Sequence, residues 1–130
     1  MTDAKKLYFT EEHEWVEKLT DDTIRIGVTE HAAELMGDIV FVEYQTGLDE
    51  VAKGDEVVTV ESVKSVSEVY APVSGTITKQ NEALSESPET INEAAFEGGW
   101  MLEMRLSDPT ELDALMSFAA YEAFVAAEEA

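Results

Sequence analysis

Apolar and polar positions alternate along much of the chain, in short runs separated by turn residues. In segment 23–29, Ile24, Ile26 and Val28 are separated by small or polar residues, which is the period of two expected of a half-buried β-strand. Segment 39–42 is a continuous apolar run too short for a helix, and we expect a strand covered on both faces. These patterns predict a mainly β chain.

Turn residues in the middle of the chain frame one lysine. Gly54 precedes Lys64 by ten residues and Gly75 follows it by eleven. The segments between them, 56–61 and 66–70, have the composition of paired β arms. We therefore expect Lys64 at an exposed hairpin tip, where the strand ladder holds the backbone and the long side chain stays accessible. The recurrence of a glycine-flanked β segment on each side predicts two halves related by a pseudo-twofold axis.

Helical signals occur near residue 30 and at the end of the chain. Thr29 is placed to cap a short helix over 30–36, which Gly37 would end. The Asp-Pro pair at 108–109, followed by Glu111, is typical of a helix start. Apolar side chains then recur near helical spacing in a tail that we expect to pack on the sheet. They are Leu112, Leu115, Met116, Phe118, Tyr121, Phe124 and Val125.

Composition narrows the functional classes. The 130 residues, 45% of them hydrophobic, suffice for one compact core. No apolar run reaches the ~20 residues of a membrane span and no apolar signal segment follows the first residues, so we expect a cytoplasmic protein without membrane contact. The chain has no cysteine, which excludes disulfides and thiolate sites. A formal charge of -21 disfavours nucleic acid as a partner.

The residues around Lys64 carry a specific resemblance. Three central motifs and several flanking ones resemble, in order, the glycine cleavage H-protein family with its lipoyl-attachment hammerhead. The central motifs are Gly54-Asp55, Glu61-Ser62-Val63-Lys64 and Tyr70-Ala71-Pro72-Val73-Ser74-Gly75. The flanking motifs are His13-Glu14-Trp15, Gly27-Val28-Thr29-Glu30-His31-Ala32, Gly37-Asp38-Ile39-Val40-Phe41-Val42, Asn81 with Leu84, Pro88 with Ile91-Asn92, and Gly98-Gly99-Trp100.

This resemblance implies a fold. The expected architecture is a barrel-sandwich hybrid like those of lipoyl and biotinyl domains: a flattened barrel or sandwich of two small antiparallel sheets. To it are added the short helix near 30–36 and C-terminal helices. The resemblance implies one lipoyl-binding domain over 1–130, with a hammerhead core at about 20–106 and a helical tail at 108–128.

The same resemblance implies a non-catalytic carrier. Lipoate would be joined by an amide to Lys64, after attachment by a lipoate ligase or a lipoyl/octanoyl transferase. The arm would carry an aminomethyl group from glycine decarboxylase to a folate-dependent aminomethyltransferase and be reoxidised by dihydrolipoamide dehydrogenase. The loaded arm carries an amine, so Glu14 and Glu68 are candidates for holding it by charge-assisted hydrogen bonds. We expect a monomer.

Other functions stay open or are disfavoured. Biotin carriers typically have methionine on both sides of the lysine, whereas Val63 and Ser65 stand here. Lipoyl domains of 2-oxo acid dehydrogenases lack the His-Glu-Trp and Gly-Gly-Trp motifs. A lipoyl or octanoyl relay for other complexes and an unmodified acidic interaction domain remain alternatives. No nucleophile and base pattern indicates an enzyme.

Histidines and aromatic residues are expected to be structural. No metal-ligating or acid-base cluster accompanies His13 or His31 at local spacing. Trp15, Trp100 and Phe41 are predicted to fill the core, as aromatic side chains within alternating strands usually do.

Overall fold

The computed structural model describes residues 7–45, 49–96 and 98–129. Nine strands lie in these ranges, all paired antiparallel in two sheets. The strands are β1 Tyr8–Phe9, β2 Glu14–Lys18, β3 Thr23–Val28, β4 Ile39–Tyr44, β5 Glu50–Val51, β6 Glu56–Ser62, β7 Val66–Tyr70, β8 Gly75–Gln80 and β9 Leu102–Leu106. The larger sheet has the order β1-β2-β3-β9-β8-β5 and the smaller sheet has the order β4-β6-β7.

The expected mainly β fold with two antiparallel sheets is confirmed, but the sheets are unequal. Six strands form one sheet and three form the other, and within the described ranges the larger sheet stays open, with β1 and β5 at its edges. It also includes β1 and β2, which precede the core predicted to begin near residue 20. The pseudo-twofold axis and the single lipoyl-binding domain over 1–130 stay predictions.

Two apolar clusters hold the described chain together. The main cluster takes buried side chains from both sheets, including Ile26 and Met104 of the larger sheet and Val60 of the smaller one. The second cluster joins the first strand to the C-terminal region, where the rings of Phe9 and Tyr121 stack with centroids 4.7 Å apart. Burial of these faces is the principal stabilising contribution, at ~25 cal/mol per Å² of apolar surface.

Five short helical segments connect and flank the strands in the described ranges. They are α1 Glu30–Met36, α2 Ala83–Glu86, α3 Thr90–Glu93, a 3-10 helix at Pro109–Ala114 and α4 Phe118–Glu129. The prediction for α1 is confirmed: the Thr29 side chain accepts a hydrogen bond from the Ala32 amide, and Gly37 follows with φ of 80°. No helix in the described ranges is long and apolar enough to cross a membrane.

The C-terminal tail packs on the sheet, as expected, but it is interrupted. Between the 3-10 helix and α4, Met116 pairs with Phe9 through two backbone hydrogen bonds of 2.8 Å. Asp108 caps the 3-10 helix by accepting from the Thr110 amide. Glu111 does not complete a capping box; its carboxylate accepts from the Ser74 amide at 2.9 Å. This hydrogen bond links the C-terminal tail to the turn that precedes β8.

The prediction that segment 39–42 is covered on both faces is wrong. Val40 is 53% exposed and Phe41 is 45% exposed, whereas Ile39 and Val42 are buried. The register with β6 shifts between Ile39 and Phe41, and such a bulge places successive side chains on the outer surface. The sequence predicts Phe41 in the core, and that prediction is wrong. Trp15 is fully buried, as predicted.

Candidate functional site

Lys64 lies at the exposed tip of the hairpin formed by β6 and β7, where the sequence predicts it. Ser62 organises this turn: its amide donates to the carbonyl oxygen of Ser65 at 2.8 Å. The Ser62 hydroxyl oxygen accepts from the amides of Lys64 at 3.2 Å and Ser65 at 3.1 Å. These hydrogen bonds hold the backbone of the turn, and Lys64 is exposed.

A second contact fixes the hairpin tip against the loop after α1. The Val63 amide donates to the carbonyl oxygen of Asp38 at 3.0 Å. The Lys64 side chain crosses Gly37 so closely that a Cβ there would lie 3.0 Å from Lys64 Cε. Asn92, on α3, braces this loop by donating to the Gly37 carbonyl and accepting from the Ile39 amide, both at 2.9 Å. Sequence reasoning gave Asn92 no structural role.

A cleft of about 340 Å³ runs beside the hairpin and brings the two predicted acids together. Glu14 at the start of β2 and Glu68 on β7 both line it. Apolar side chains of α1 and the smaller sheet, among them Leu35, Met36 and Val60, form the rest of the wall. Glu68 is four residues beyond Lys64, so the cleft begins within ~13 Å of the tip at the ~3.3 Å rise per strand residue.

Glu14 is the most perturbed acid in this cleft. Its side chain is only 2% exposed; one carboxylate oxygen accepts from the Tyr70 amide at 2.6 Å and the other from the Thr10 hydroxyl at 3.2 Å. Burial raises the pKa of Glu14 to about 8, although these two hydrogen bonds lower it. The residue is therefore mainly a neutral acid at pH 7.

Glu68 occupies a different environment on the same cleft. It is partly exposed, and it accepts a hydrogen bond of 2.8 Å from the hydroxyl of Thr59, its cross-strand partner. Glu14 also borders a second cavity of about 460 Å³, whose lining includes Lys53 and Met116. The cleft thus has one buried acid shared with a neighbouring cavity and one anchored acid nearer the hairpin tip.

The fold brings both histidines close to one acid, an arrangement that their spacing in the sequence does not show; the structural role expected of His13 and His31 stays a prediction. The ligating atoms of His13, His31 and Glu128 all lie within 4.8 Å of one another. The three residues are far apart in sequence, so local spacing did not show the cluster; the fold creates it by packing α4 against α1 and the turn before β2.

Comparisons with known proteins agree with this geometry. Residues 7–128 match the family described as glycine cleavage H-protein. The glycine cleavage system H protein of Vibrio vulnificus (strain YJ016) is 50% identical over 117 residues, covering 90% of this chain and 93% of the relative. That of Phenylobacterium zucineum (strain HLK1) is 53% identical over 118 residues, covering 91% and 97%.

A solved structure extends the similarity to the fold. The crystal structure of a glycine cleavage system H protein from Mycobacterium marinum superposes with a TM-score of 0.79 at 30% identity, covering 92% of this chain and 98% of that one. The sequence match and the structural match both cover nearly the whole chain. The chain belongs to the glycine cleavage H-protein family.

Proposed function

We propose that this protein is the lipoyl carrier of a glycine cleavage system, with lipoate joined by an amide to the Nζ atom of Lys64. The observation that carries the proposal is the position of Lys64: an exposed, hydrogen-bonded hairpin tip beside a cleft lined by apolar residues and two acids. The dithiolane of lipoate would supply the disulfide chemistry that a chain without cysteine lacks.

The surface near Lys64 fits an apolar arm. Acylation replaces the hydrated ammonium group by a neutral amide, which removes the cost of laying the side chain against apolar surface. Leu35 at the cleft is 62% exposed, and Val63 and Val66 at the hairpin tip are 66% and 59% exposed. These side chains, with Met36 inside the cleft, would hold the arm by contacts that exclude water.

Glu14 and Glu68 would receive the amine of the loaded carrier. As a neutral acid, Glu14 can give its proton to an amine that enters the cleft, which leaves a carboxylate paired with an ammonium group. Glu68 lies on the same wall, where its anchored carboxylate adds a second acceptor. Such a pair protects the amine best where solvent is excluded, and Glu14 is the buried member.

In this role the protein exchanges with three enzymes: glycine decarboxylase, the folate-dependent aminomethyltransferase and dihydrolipoamide dehydrogenase. A tethered group reaches each enzyme at high effective concentration. The protein itself supplies no catalytic step. We propose that it works as a cytoplasmic monomer, because a charge of -21 opposes self-association and a chain without cysteine lacks the disulfides that stabilise many small secreted domains.

Intact-mass analysis with peptide mapping tests the attachment site. Protein from a lipoate-replete host should carry one lipoyl or octanoyl increment, confined to Lys64. Lys64→Arg should fold normally and carry none, whereas Lys53→Arg, at another exposed turn, should be modified like wild type. A biotin increment would reassign the protein to carboxylases. No increment with lipoate ligase supplied would favour an unmodified interaction domain.

A transfer assay addresses the relay alternative. The lipoylated protein would be mixed with an acceptor lipoyl domain and the appropriate transferase, and the acceptor's mass would be followed. Glycine-dependent loading without transfer to the acceptor supports the glycine cleavage role alone. Transfer to the acceptor would add the relay function.

A loading experiment tests the two acids. Glu14→Gln and Glu68→Gln should both accept lipoate, because neither side chain belongs to the hairpin turn. The loaded Glu14→Gln protein should lose its amine faster than wild type, and Glu68→Gln should show a smaller effect because its carboxylate is more exposed. Equal lifetimes in wild type and both variants would remove these residues from the proposal.

A further inference from the structure

The chain contains two histidines, and the fold places both beside the same carboxylate. His13 is in the turn before β2, His31 is in the first turn of α1, and Glu128 is near the end of α4. The imidazole rings of His13 and His31 lie with centroids 5.1 Å apart. His13 Nε2 is 3.0 Å from Glu128 Oε1, and the donor atoms of all three residues lie within 4.8 Å of one another.

A hydrogen-bonded chain orients one of these imidazoles. His13 Nδ1 is 2.8 Å from the Tyr121 hydroxyl oxygen, which is 2.7 Å from the Thr29 hydroxyl oxygen. Tyr121 and Thr29 are buried. When Nδ1 donates its proton to Tyr121, Nε2 faces Glu128, and a cation bound there replaces the proton shared by Nε2 and the Glu128 carboxylate. Outer partners of this kind are the usual support of metal-ligating histidines.

The backbone of His13 is also unusual. Its φ of 63° lies in the left-handed region, where non-glycine residues are uncommon. The surrounding hydrogen bonds hold it there: its amide donates to the Thr10 carbonyl and its own carbonyl accepts from the Thr29 amide. This geometry directs the ring across the turn towards α1 and α4, and not along the strand that follows.

We propose that His13, His31 and Glu128 form a binding site for a divalent ion of the zinc type. Two imidazole nitrogens and one carboxylate are a known zinc donor set, with water completing the tetrahedron. Imidazole favours zinc, copper and nickel over magnesium and calcium, which prefer oxygen donors. The chain has no cysteine, so no thiolate in it competes for such an ion.

Binding requires a modest adjustment of the cluster. Donors at ~2.1 Å from a tetrahedral ion are ~3.4 Å apart. Separations of up to 4.8 Å must therefore shorten, and the 3.0 Å between His13 Nε2 and Glu128 Oε1 must lengthen. Glu128, whose side chain is 43% exposed, is the member best able to move. The bound ion would link α4 to α1 and to the turn before β2, three elements that otherwise meet through side-chain packing and hydrogen bonds.

Zinc titration followed by NMR tests the site directly. The sample is the untagged, full-length, unlipoylated protein after chelator treatment, and the probe is zinc chloride. The chain gives two imidazole spin systems, and both should shift together and saturate at one ion per chain. Magnesium chloride at the same concentration should leave them unchanged. A shift of one imidazole alone, or equal shifts with magnesium, would overturn the proposal.

Matched variants separate the site from the acidic surface. His31→Gln should weaken zinc binding by at least ~100-fold and Tyr121→Phe by ~10-fold, since loss of an outer partner alone weakens metal binding 10- to 100-fold. Glu128→Gln should weaken binding strongly, whereas Glu86→Gln, which removes one charge from an exposed position of α2, should not. Because the Glu128 side chain is 43% exposed, its variant tests the site even where His31→Gln fails to fold. Equal effects of the two glutamate variants would assign the binding to the general surface.

Discussion

Burial gives Glu14 a property that the other cleft acid does not share. Its pKa is raised from 4.5 to about 8 by desolvation, so the folded protein holds a proton there that the unfolded chain releases. The stabilising contribution of this proton is fully present below pH 4.5 and is lost as the pH rises through about 8. At 1.36 kcal/mol per pKa unit the loss is at most ~5 kcal/mol.

Glu14→Gln should abolish the pH dependence of stability that the buried carboxyl group produces. The amide keeps the shape of the side chain, and its oxygen can accept from the Tyr70 amide as the carboxyl group does. Urea unfolding between pH 5 and 9 should show the wild-type free energy of unfolding falling relative to that of the variant by several kcal/mol. Glu11→Gln, three residues earlier at an exposed position, should follow the wild-type slope. Parallel curves for wild type and Glu14→Gln would show that the buried carboxyl is not protonated.

The contrast between Lys64 and Glu14 shows what sequence reveals about single residues. Lys64 is framed by turn glycines and β arms, which are local signals, and the structure places it where they predict. The burial of Glu14 has no local signal: in β2, Glu14, Trp15 and Val16 are all buried in succession, against the alternation that would leave every second side chain in solvent. Only packing of other elements over both faces produces that burial.

Asn92 connects α3 to the loop after α1, and this loop accepts a hydrogen bond from the hairpin tip. Asn92→Ala should leave the buried Ile39 amide without its acceptor, and an unsatisfied buried donor costs ~1–3 kcal/mol. We expect faster hydrogen exchange at Ile39 and at Val63, whose amide bonds to the same loop. The measurement is residue-resolved amide exchange, with Glu93→Ala on the same helix as control. Unchanged exchange at both amides would mean that Asn92 does not brace the loop.

Close contact between β8 and β9 depends on Gly75. A Cβ there would lie 2.2 Å from the carbonyl oxygen of Arg105, so Gly75→Ala must displace backbone. We expect a loss of ~3 kcal/mol, the upper range for overpacking, measured by thermal or urea unfolding.

Gly98→Ala is the matched control for this substitution. The nearest obstacle there is a side-chain methyl group of Thr90 at 3.1 Å, and a side chain can give way. The expected loss is under ~1 kcal/mol. A loss at Gly75 as small as the one expected at Gly98 would show that β8 and β9 can separate at little cost.

Elements were predictable where periodicity was long enough to detect. The hairpin, β3 and α1 follow from alternation and capping residues. The two-residue strands β1 and β5 and the four-residue helices α2 and α3 are too short to have a period. The break in the tail also has no local signal, because the pairing of Met116 with Phe9 is a contact between the two ends of the chain. Phe41 was misassigned because a bulge breaks the pattern that burial would follow.

At the scale of the whole molecule, the charge is strongly negative, because the chain has 29 acidic residues and only 8 basic ones. Mutual repulsion of these carboxylates destabilises the compact state. Raising ionic strength from ~0.01 M to ~0.15 M shortens the screening length from ~30 Å to ~8 Å. We therefore expect sodium chloride to raise the Tm over this range at pH 7.5.

The same titration near pH 4 is the control. That pH is close to the ordinary pKa of Asp and Glu side chains, so many carboxylates are protonated and much of the charge repulsion is already removed. The rise in Tm with salt should shrink accordingly. A salt effect of equal size at both pH values would point to a cause other than charge screening.

The position of β9 sets the order in which the protein can assemble on the ribosome. Although it is the last strand of the chain, it lies in the middle of the larger sheet, between β3 and β8. The β6–β7 hairpin has only local pairing and can close in ~1–10 μs, whereas the sheet must wait until residues near 106 have left the exit tunnel. An enzyme that recognises the hairpin alone would therefore find Lys64 before β9 is available, whereas one that recognises the completed larger sheet would act only after β9 has inserted between β3 and β8.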